Sequence, residues 1–141
     1  MTYAAKSFPG KADQLIEVRR FTQAIVGDAP GVDDVVLLAS ELAANAIRHS
    51  DSGEPDGMFT LHVAVFADRW QVRVDDLGGP TAPEILKPTA EDETGWGLTM
   101  VEALASSWGV LGDAYARAVW AEVGRTIPHR AARTEKRSRS R

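Results

Sequence analysis

The chain has 141 residues, 44% of them hydrophobic and 26% charged, which is typical of one soluble domain with a single core. It contains no cysteine, so disulfide bonds, thiolate nucleophiles and cysteine-ligated zinc sites are excluded. No apolar run approaches the roughly 18 residues of a membrane span, and the N-terminus lacks the apolar segment of a secretion signal, so we expect a cytoplasmic protein.

The formal net charge of −4 is unevenly distributed between the body of the chain and its C-terminus. Residues 126–141 contain six Lys or Arg and one acidic residue, so this tail carries +5 and the preceding 125 residues carry −9. The tail has almost no apolar side chain to bury. We therefore predict a folded domain over 1–125 and a basic, disordered tail over 126–141 that is solvated rather than bound to nucleic acid.

The first half of the chain predicts one strand followed by two helices. Residues 2–9 favour a short strand that ends at a Pro-Gly pair. Residues 11–27 place apolar side chains at helical spacing, and Gly27 with the Asp-Ala-Pro-Gly that follows ends this helix. A second helix is predicted over 32–48, before a cluster of turn-forming residues over 51–57.

The second half predicts two antiparallel hairpins separated by a loop and a helix. Strands and helices do not alternate singly, so we predict an α+β fold, a two-layer sandwich with a mixed, mainly antiparallel sheet packed on three helices. The predicted segments are strands over 58–68 and 70–76, a proline-containing loop over 80–94, a helix over 97–106 and a hairpin over 107–124 that turns at Gly112-Asp113.

The second helix carries two polar residues inside an otherwise apolar run. Glu41 and Asn45 lie four positions apart and therefore share one face. Leu38, Leu42 and Ala46 form a separate stripe that can face the core. Burying unpartnered polar groups is costly, so the pattern alone favours two side chains that reach solvent at the rim. The functional alternative is that Asn45 offers its carbonyl oxygen to a hard cation such as Mg²⁺, with Glu41 accepting a proton from a nucleophile or orienting it.

A second motif, VRVDDLGGP, ends a hydrophobic strand in two carboxylates, Asp75 and Asp76. A carboxylate at a strand end can accept a hydrogen bond from an exocyclic amine such as that of adenine. Gly78 would let the backbone approach a flat ring, because it has no side chain in the way. A strand that simply ends in a glycine turn gives the same pattern.

A third motif, ETGWGLTMVEAL, places Gly95 and Gly97 just before the helix that is predicted to start near Leu98. Backbone N–H groups at a helix N-terminus bind anions, and glycine allows phosphates to approach. The same residues are also typical of a loop that only caps the helix. The G-x-x-x-x-G-K-[ST] pattern of a P-loop is missing from the sequence.

The order of the three motifs is more specific than any one of them. It resembles the ATP-binding domain shared by histidine kinases, DNA gyrase, a mismatch-repair protein and a heat-shock chaperone, the GHKL group with its Bergerat-type fold. Within that group the chain is most similar to the small bacterial anti-sigma-factor serine kinases and their single-domain actinobacterial relatives. The resemblance covers about residues 3–124 and rests on SELAANAIRHS (40–50), VRVDDLGGP (72–80), GWGLTMVEALASSWGV (95–110) and AVWAEV (118–123).

The resemblance implies a Mg·ATP site and assigns roles to the residues of the second helix. Asn45 matches the asparagine that binds Mg²⁺, and Glu41 matches the carboxylate that acts as a base or positions water. Arg48 and His49 follow the asparagine, where basic side chains can lie near phosphate. For His49, a helix-end residue without a role is an equal alternative.

The resemblance also assigns roles to the two glycine-bearing motifs. Asp76 matches the aspartate that reads the adenine amino group, with Gly78 beside the ring. Gly95 and Gly97, with Leu98 after them, match the residues around the phosphates.

Two features depart from the relatives. Trp96 stands between the lid glycines, where many relatives carry an arginine or another polar residue. The segment over 81–94, which matches the mobile lid over the nucleotide, also carries more acidic than basic residues, and these acids would oppose a triphosphate unless they point away.

The function implied by the resemblance is an anti-sigma-type serine/threonine kinase that uses Mg·ATP to phosphorylate a partner regulator, an anti-sigma antagonist. The alternative is a nucleotide-dependent module that sequesters a sigma factor or another regulator without effective phosphotransfer, which Trp96 and the acidic lid favour. A third hypothesis is that the chain is the detached catalytic half of a histidine kinase, although no phosphoacceptor helix is recognised. The relatives also suggest a homodimer.

Overall fold

The computed structural model describes residues 1–49, 56–76, 93–112 and 116–125, and its description of side chains leaves out His49 and residues 93–98. None of the helices in these ranges is both long and apolar enough to cross a bilayer. The strands are β1 (Thr2–Pro9), β2 (Met58–Val65), β3 (Arg69–Asp76), β4 (Ser107–Gly112) and β5 (Arg117–Gly124), and the helices are α1 (Leu15–Val26), α2 (Val32–His49) and α3 (Glu93–Leu104), with a short 3₁₀ helix (Ala12–Gln14) before α1.

The five described strands form one open sheet in the order β1-β2-β3-β5-β4. The predicted α+β class is confirmed, with the described helices packed against the sheet. One detail was wrong: the sheet was expected to be mixed, yet all four pairings among the described strands are antiparallel. The chain runs from β3 through α3 to the outer position of β4, and β5 then returns between them. β3 and β4 therefore run in the same direction without being neighbours.

The core lies between α2 and the sheet. The predicted apolar stripe of α2 is confirmed, since Leu38, Leu42 and Ala46 are each at most 2% exposed. Full burial of one such leucine stabilises the fold by about 1.5–3 kcal/mol. The predicted alternation in the first hairpin is confirmed for the buried residues Phe59, Leu61, Val63, Trp70, Val72 and Val74, while at the end of β2 Val65 is half-buried and Ala64 is buried.

The first helix begins later than its sequence pattern suggested. Residues 12–14 form the 3₁₀ turn, and α1 proper starts at Leu15. Val18 and Thr22 are buried one turn apart, and the Thr22 hydroxyl donates to the Val18 carbonyl at 2.8 Å. Gly27 ends the helix with a φ of 76°, a left-handed value that glycine adopts without a steric penalty.

The third helix begins earlier than predicted, at Glu93 rather than near residue 97. Gly95 and Gly97 therefore lie within its first two turns instead of before it. Glycine costs a helix only about 1 kcal/mol relative to alanine, so the two glycines do not prevent helix formation. Most of the predicted lid, 81–92, and the tail, 126–141, lie outside the described residues.

Candidate functional site

α2 and β3 run side by side from the same end of the molecule. Gly31, the residue before α2, lies against the ring of Trp70 near the start of β3, where a Cβ atom on the glycine would meet ring atoms at 3.3 Å. α2 then packs along β3. A helix rises about 21 Å from Gly31 to Asn45, and a strand rises about 20 Å from Trp70 to Asp76. Asn45 and Asp76 therefore lie toward the same end, which we call the Asp76 end.

α3 brings its first turns to the Asp76 end as well. Its last residues lead into β4, whose first residue, Ser107, pairs with Glu122, and Glu122 pairs with Gln71 near the start of β3. α3 also packs against α2, so its 12 residues, about 18 Å, extend from that opposite end back toward the Asp76 end. The backbones of Gly95 and Gly97 thus lie toward the C-terminal half of α2.

Asn45 is buried, with 6% of its surface exposed, so the alternative in which both polar residues of α2 reach solvent is wrong for this side chain. Its Nδ2 atom donates to the backbone carbonyl of Glu41 at 3.1 Å. Because a carbonyl can only accept, this bond fixes the orientation of the amide. The other atom, Oδ1, is buried and has no hydrogen-bond partner among the described residues. An unsatisfied buried acceptor costs about 1–3 kcal/mol, so Oδ1 calls for a partner beyond the described residues, a water molecule or a ligand.

The remaining predicted residues of α2 lie around Asn45. Glu41 is half-buried one turn earlier, and Arg48 is exposed near the end of the helix. His49 is the last residue of α2, and its side chain lies outside the description. Glu41 therefore lies one helical turn from Asn45 with part of its side chain still accessible to solvent.

The pleat of β3 decides which of the two aspartates faces the helices. Asp75 lies on the open face of the sheet, where Arg73 donates to its two oxygens at 2.8 and 2.9 Å and the His62 Nε2 atom lies 2.9 Å away. Burial by itself would raise the pKa of Asp75, but the Arg73 hydrogen bonds and then His62 outweigh it and hold the pKa below its ordinary value. Asp76, half-buried, is the next residue along and takes the helix-facing side.

One residue at this end was missed in the sequence. Arg117 begins β5, is 6% exposed, and lies directly opposite Asp76 in the β3–β5 pairing. It stands two residues before the buried Val119 and four before the buried Ala121, so the alternation of the strand could have identified it as helix-facing.

The donor set suits Mg²⁺ better than a metal held by protein side chains alone. The described residues contain no cluster of three His, Asp or Glu side chains that could hold a metal ion. Mg²⁺ is usually bound by one or two protein oxygens together with substrate phosphates and water, and a buried amide oxygen such as Asn45 Oδ1 fits that pattern. Of the other predicted residues, Gly78 and the side chain of Leu98 lie outside the described residues.

Comparison with known proteins shows the family of this chain. Residues 8–122 match the family model of the histidine kinase-like ATPase domain. A stretch of 47 residues, 33% of this chain, is 34% identical to serine-protein kinase RsbW of Listeria monocytogenes serotype 4a (strain HCC23) and serotype 4b (strain F2365), and of Listeria innocua serovar 6a. The matched stretch spans only 30% of the length of each relative. With four fifths of its length matched by the family model, the chain belongs to the histidine kinase-like ATPase domain family.

Proposed function

We propose that this protein binds Mg·ATP at the Asp76 end and transfers the γ-phosphoryl group to a serine or threonine of a partner regulator, as an anti-sigma-type protein kinase. The observation that carries the proposal is the buried oxygen of Asn45 that has no partner among the described residues. The family match and the partial similarity to proteins named serine-protein kinase RsbW support it. The phosphorylated partner would be an anti-sigma antagonist, and a sigma factor would be the regulator that is bound.

Asn45 and Glu41 would have different roles near the phosphates. Asn45 Oδ1 would hold Mg²⁺, which when bound neutralises phosphate charge. Glu41, half-buried one turn earlier, would orient the attacking hydroxyl and take its proton. As the new bond from the hydroxyl oxygen to the γ-phosphorus forms, the bond to the β–γ bridging oxygen breaks and ADP leaves.

The base and the phosphates would be held by the other two motifs. The Asp76 carboxylate would accept a hydrogen bond from the adenine amino group. The first four N–H groups of a helix have no intrahelical acceptor, so the first turn of α3, which includes Gly95, offers donors to phosphate oxygens. Gly97, two residues further on, would leave room for the phosphates to approach.

The test of the site is calorimetric titration of Mg·ATP into wild type and Asn45→Ala. We expect the variant to bind about tenfold more weakly or worse, because it lacks the ligand oxygen. Thr22→Ala is the matched control, since it also removes a hydrogen bond from a buried side chain to the carbonyl four residues earlier, but in α1. Wild type that does not bind Mg·ATP at millimolar concentration would contradict the proposal.

The test of the reaction is transfer of labelled γ-phosphate to a pool of candidate regulators. We expect wild type to label a serine or threonine, and Glu41→Gln to bind Mg·ATP normally but label at least about tenfold more slowly. Wild type that binds Mg·ATP and a partner without labelling it would favour the alternative, a nucleotide-dependent binding module. Trp96, which cannot neutralise phosphate, and the acidic lid over 81–94 are the sequence features that favour that alternative.

A further inference from the structure

Arg117 is the one charged side chain less than a tenth exposed among the residues that the structure describes. It lies on the helix-facing side of β5, at the Asp76 end. Burying a guanidinium group is unfavourable unless an opposite charge or several hydrogen bonds compensate. The buried guanidinium group of Arg117 is therefore expected to have an acidic partner, and the position of that partner can indicate what the pair does.

The sheet register places a carboxylate beside Arg117. Asp76 of β3 is its direct neighbour on one side, and Gly112 of β4, which has no side chain, is its neighbour on the other. Directly opposed residues have Cβ atoms about 4.5–5.5 Å apart, within the reach of an arginine side chain. The next helix-facing residues along the two strands are Val74 and Val119, both buried and apolar.

The other aspartate at the end of β3, Asp75, cannot be the partner of Arg117. Asp75 lies on the opposite face of the sheet, where Arg73 and His62 already hold its two oxygens. The strand pair thus has two separate Arg–Asp neighbours, one on each face. No helix of the described ranges packs over the pair on the open face, whereas Arg117 and Asp76 lie on the side where α2 and α3 pack.

We infer that Arg117 is a positioning residue for base recognition, which keeps Asp76 ionised and aimed at the base and thereby makes the site prefer adenine to guanine nucleotides. This inference rests on the proposed Mg·ATP site. An ionised carboxylate can only accept hydrogen bonds, and a guanidinium group stays charged throughout the physiological pH range. Adenine presents an amino group where guanine presents a carbonyl oxygen. An ionised Asp76, which can only accept hydrogen bonds, therefore attracts the adenine amino group and repels the guanine oxygen.

Without the guanidinium, apolar surroundings such as Val74 and Val119 would favour the neutral form of Asp76. A protonated carboxyl group can donate a hydrogen bond to the guanine oxygen, and it is also a weaker acceptor for the adenine amino group. Loss of Arg117 is therefore expected to weaken ATP binding and to strengthen GTP binding relative to it. A residue with a purely structural role would not change this ratio.

The test is calorimetric titration of Mg·ATP and Mg·GTP into wild type, Arg117→Met and Arg117→Lys. We expect wild type to prefer ATP, Arg117→Met to reduce the ATP-to-GTP affinity ratio by about tenfold or more, and Arg117→Lys, which keeps the charge, to restore most of it. Arg73→Met is the matched control, because it removes the Arg–Asp pair on the open face of the same strand and should leave the ratio at the wild-type value.

The outcomes separate this inference from the proposed function. If wild type binds Mg·ATP and Asn45→Ala does not, while Arg117→Met keeps the wild-type ratio, the Mg·ATP site stands and the role of Arg117 is overturned. The role is also overturned if Arg117→Lys behaves like Arg117→Met. Should Arg117→Met fail to fold, Arg117→Gln, which is uncharged but retains a hydrogen-bond donor, takes its place, and a wild-type ratio in that variant overturns the inference equally.

Discussion

Replacement of Asn45 by leucine separates the effect of this side chain on stability from its effect on binding. In nucleotide-free protein the buried Oδ1 atom costs about 1–3 kcal/mol, while the Nδ2 bond to the Glu41 carbonyl contributes only about 0.5–1.5 kcal/mol. Leucine has nearly the same shape, removes both groups and buries an apolar side chain instead. We therefore expect Asn45→Leu to raise the free energy of unfolding of nucleotide-free protein by about 1–3 kcal/mol and to abolish Mg·ATP binding.

The assay is urea unfolding followed by circular dichroism, without nucleotide and with a metal chelator. The midpoint should rise while the denaturant slope stays constant, because the surface exposed on unfolding hardly changes. Thr22→Val is the control, since its buried hydroxyl does make a hydrogen bond, to the Val18 carbonyl. Loss of this hydroxyl group should leave the free energy of unfolding unchanged or lower it by up to about 1.5 kcal/mol, whereas Asn45→Leu should raise it.

Two results would refute this reasoning. A loss of more than about 1 kcal/mol in Asn45→Leu would mean that Oδ1 is already satisfied in nucleotide-free protein, so that no ligand is needed to explain it. Wild-type affinity for Mg·ATP in the same variant would remove Asn45 from the metal site whatever its stability.

Two further predictions concern the sheet. Gly112 has a φ of 99°, and a Cβ there would clash with the backbone carbonyl oxygen of Ala116, so Gly112→Ala should lose about 1–3 kcal/mol of unfolding free energy in urea. Gly124→Ala, whose Cβ would meet nothing within 4 Å, should stay within about 0.5 kcal/mol, and equal losses would contradict the argument. Because Arg73 and His62 lower the pKa of Asp75, its contribution to stability is present at neutral pH and is lost as the pH falls through the folded-state pKa. Asp75→Asn should therefore lose less stability than wild type between about pH 7 and about pH 3, and an equal loss would refute the assignment.

Local patterns in the sequence were sufficient for most of the fold. The alternation in β2 and β3 and the leucine stripe of α2 report which side chains face the core, since a two-residue or 3.6-residue period leaves one face apolar. The start of α3 was misplaced because glycine is only a weak signal against a helix. Its cost of about 1 kcal/mol can be offset by the rest of the segment. The pairing of β3 with β5 depends on contacts between distant segments and has no local signal.

The sequence by itself determined the class of the domain, the phase of its strands and the order of three motifs, because these follow from local periodicity and residue type. Only the tertiary structure decided what those residues meet. Asn45 could have been a rim side chain, but its burial leaves an oxygen that has no partner among the described residues, since exposure depends on what packs over α2. Strand pairing likewise set Arg117 opposite Asp76, because only the folded sheet makes neighbours of two residues that lie 41 positions apart in the chain.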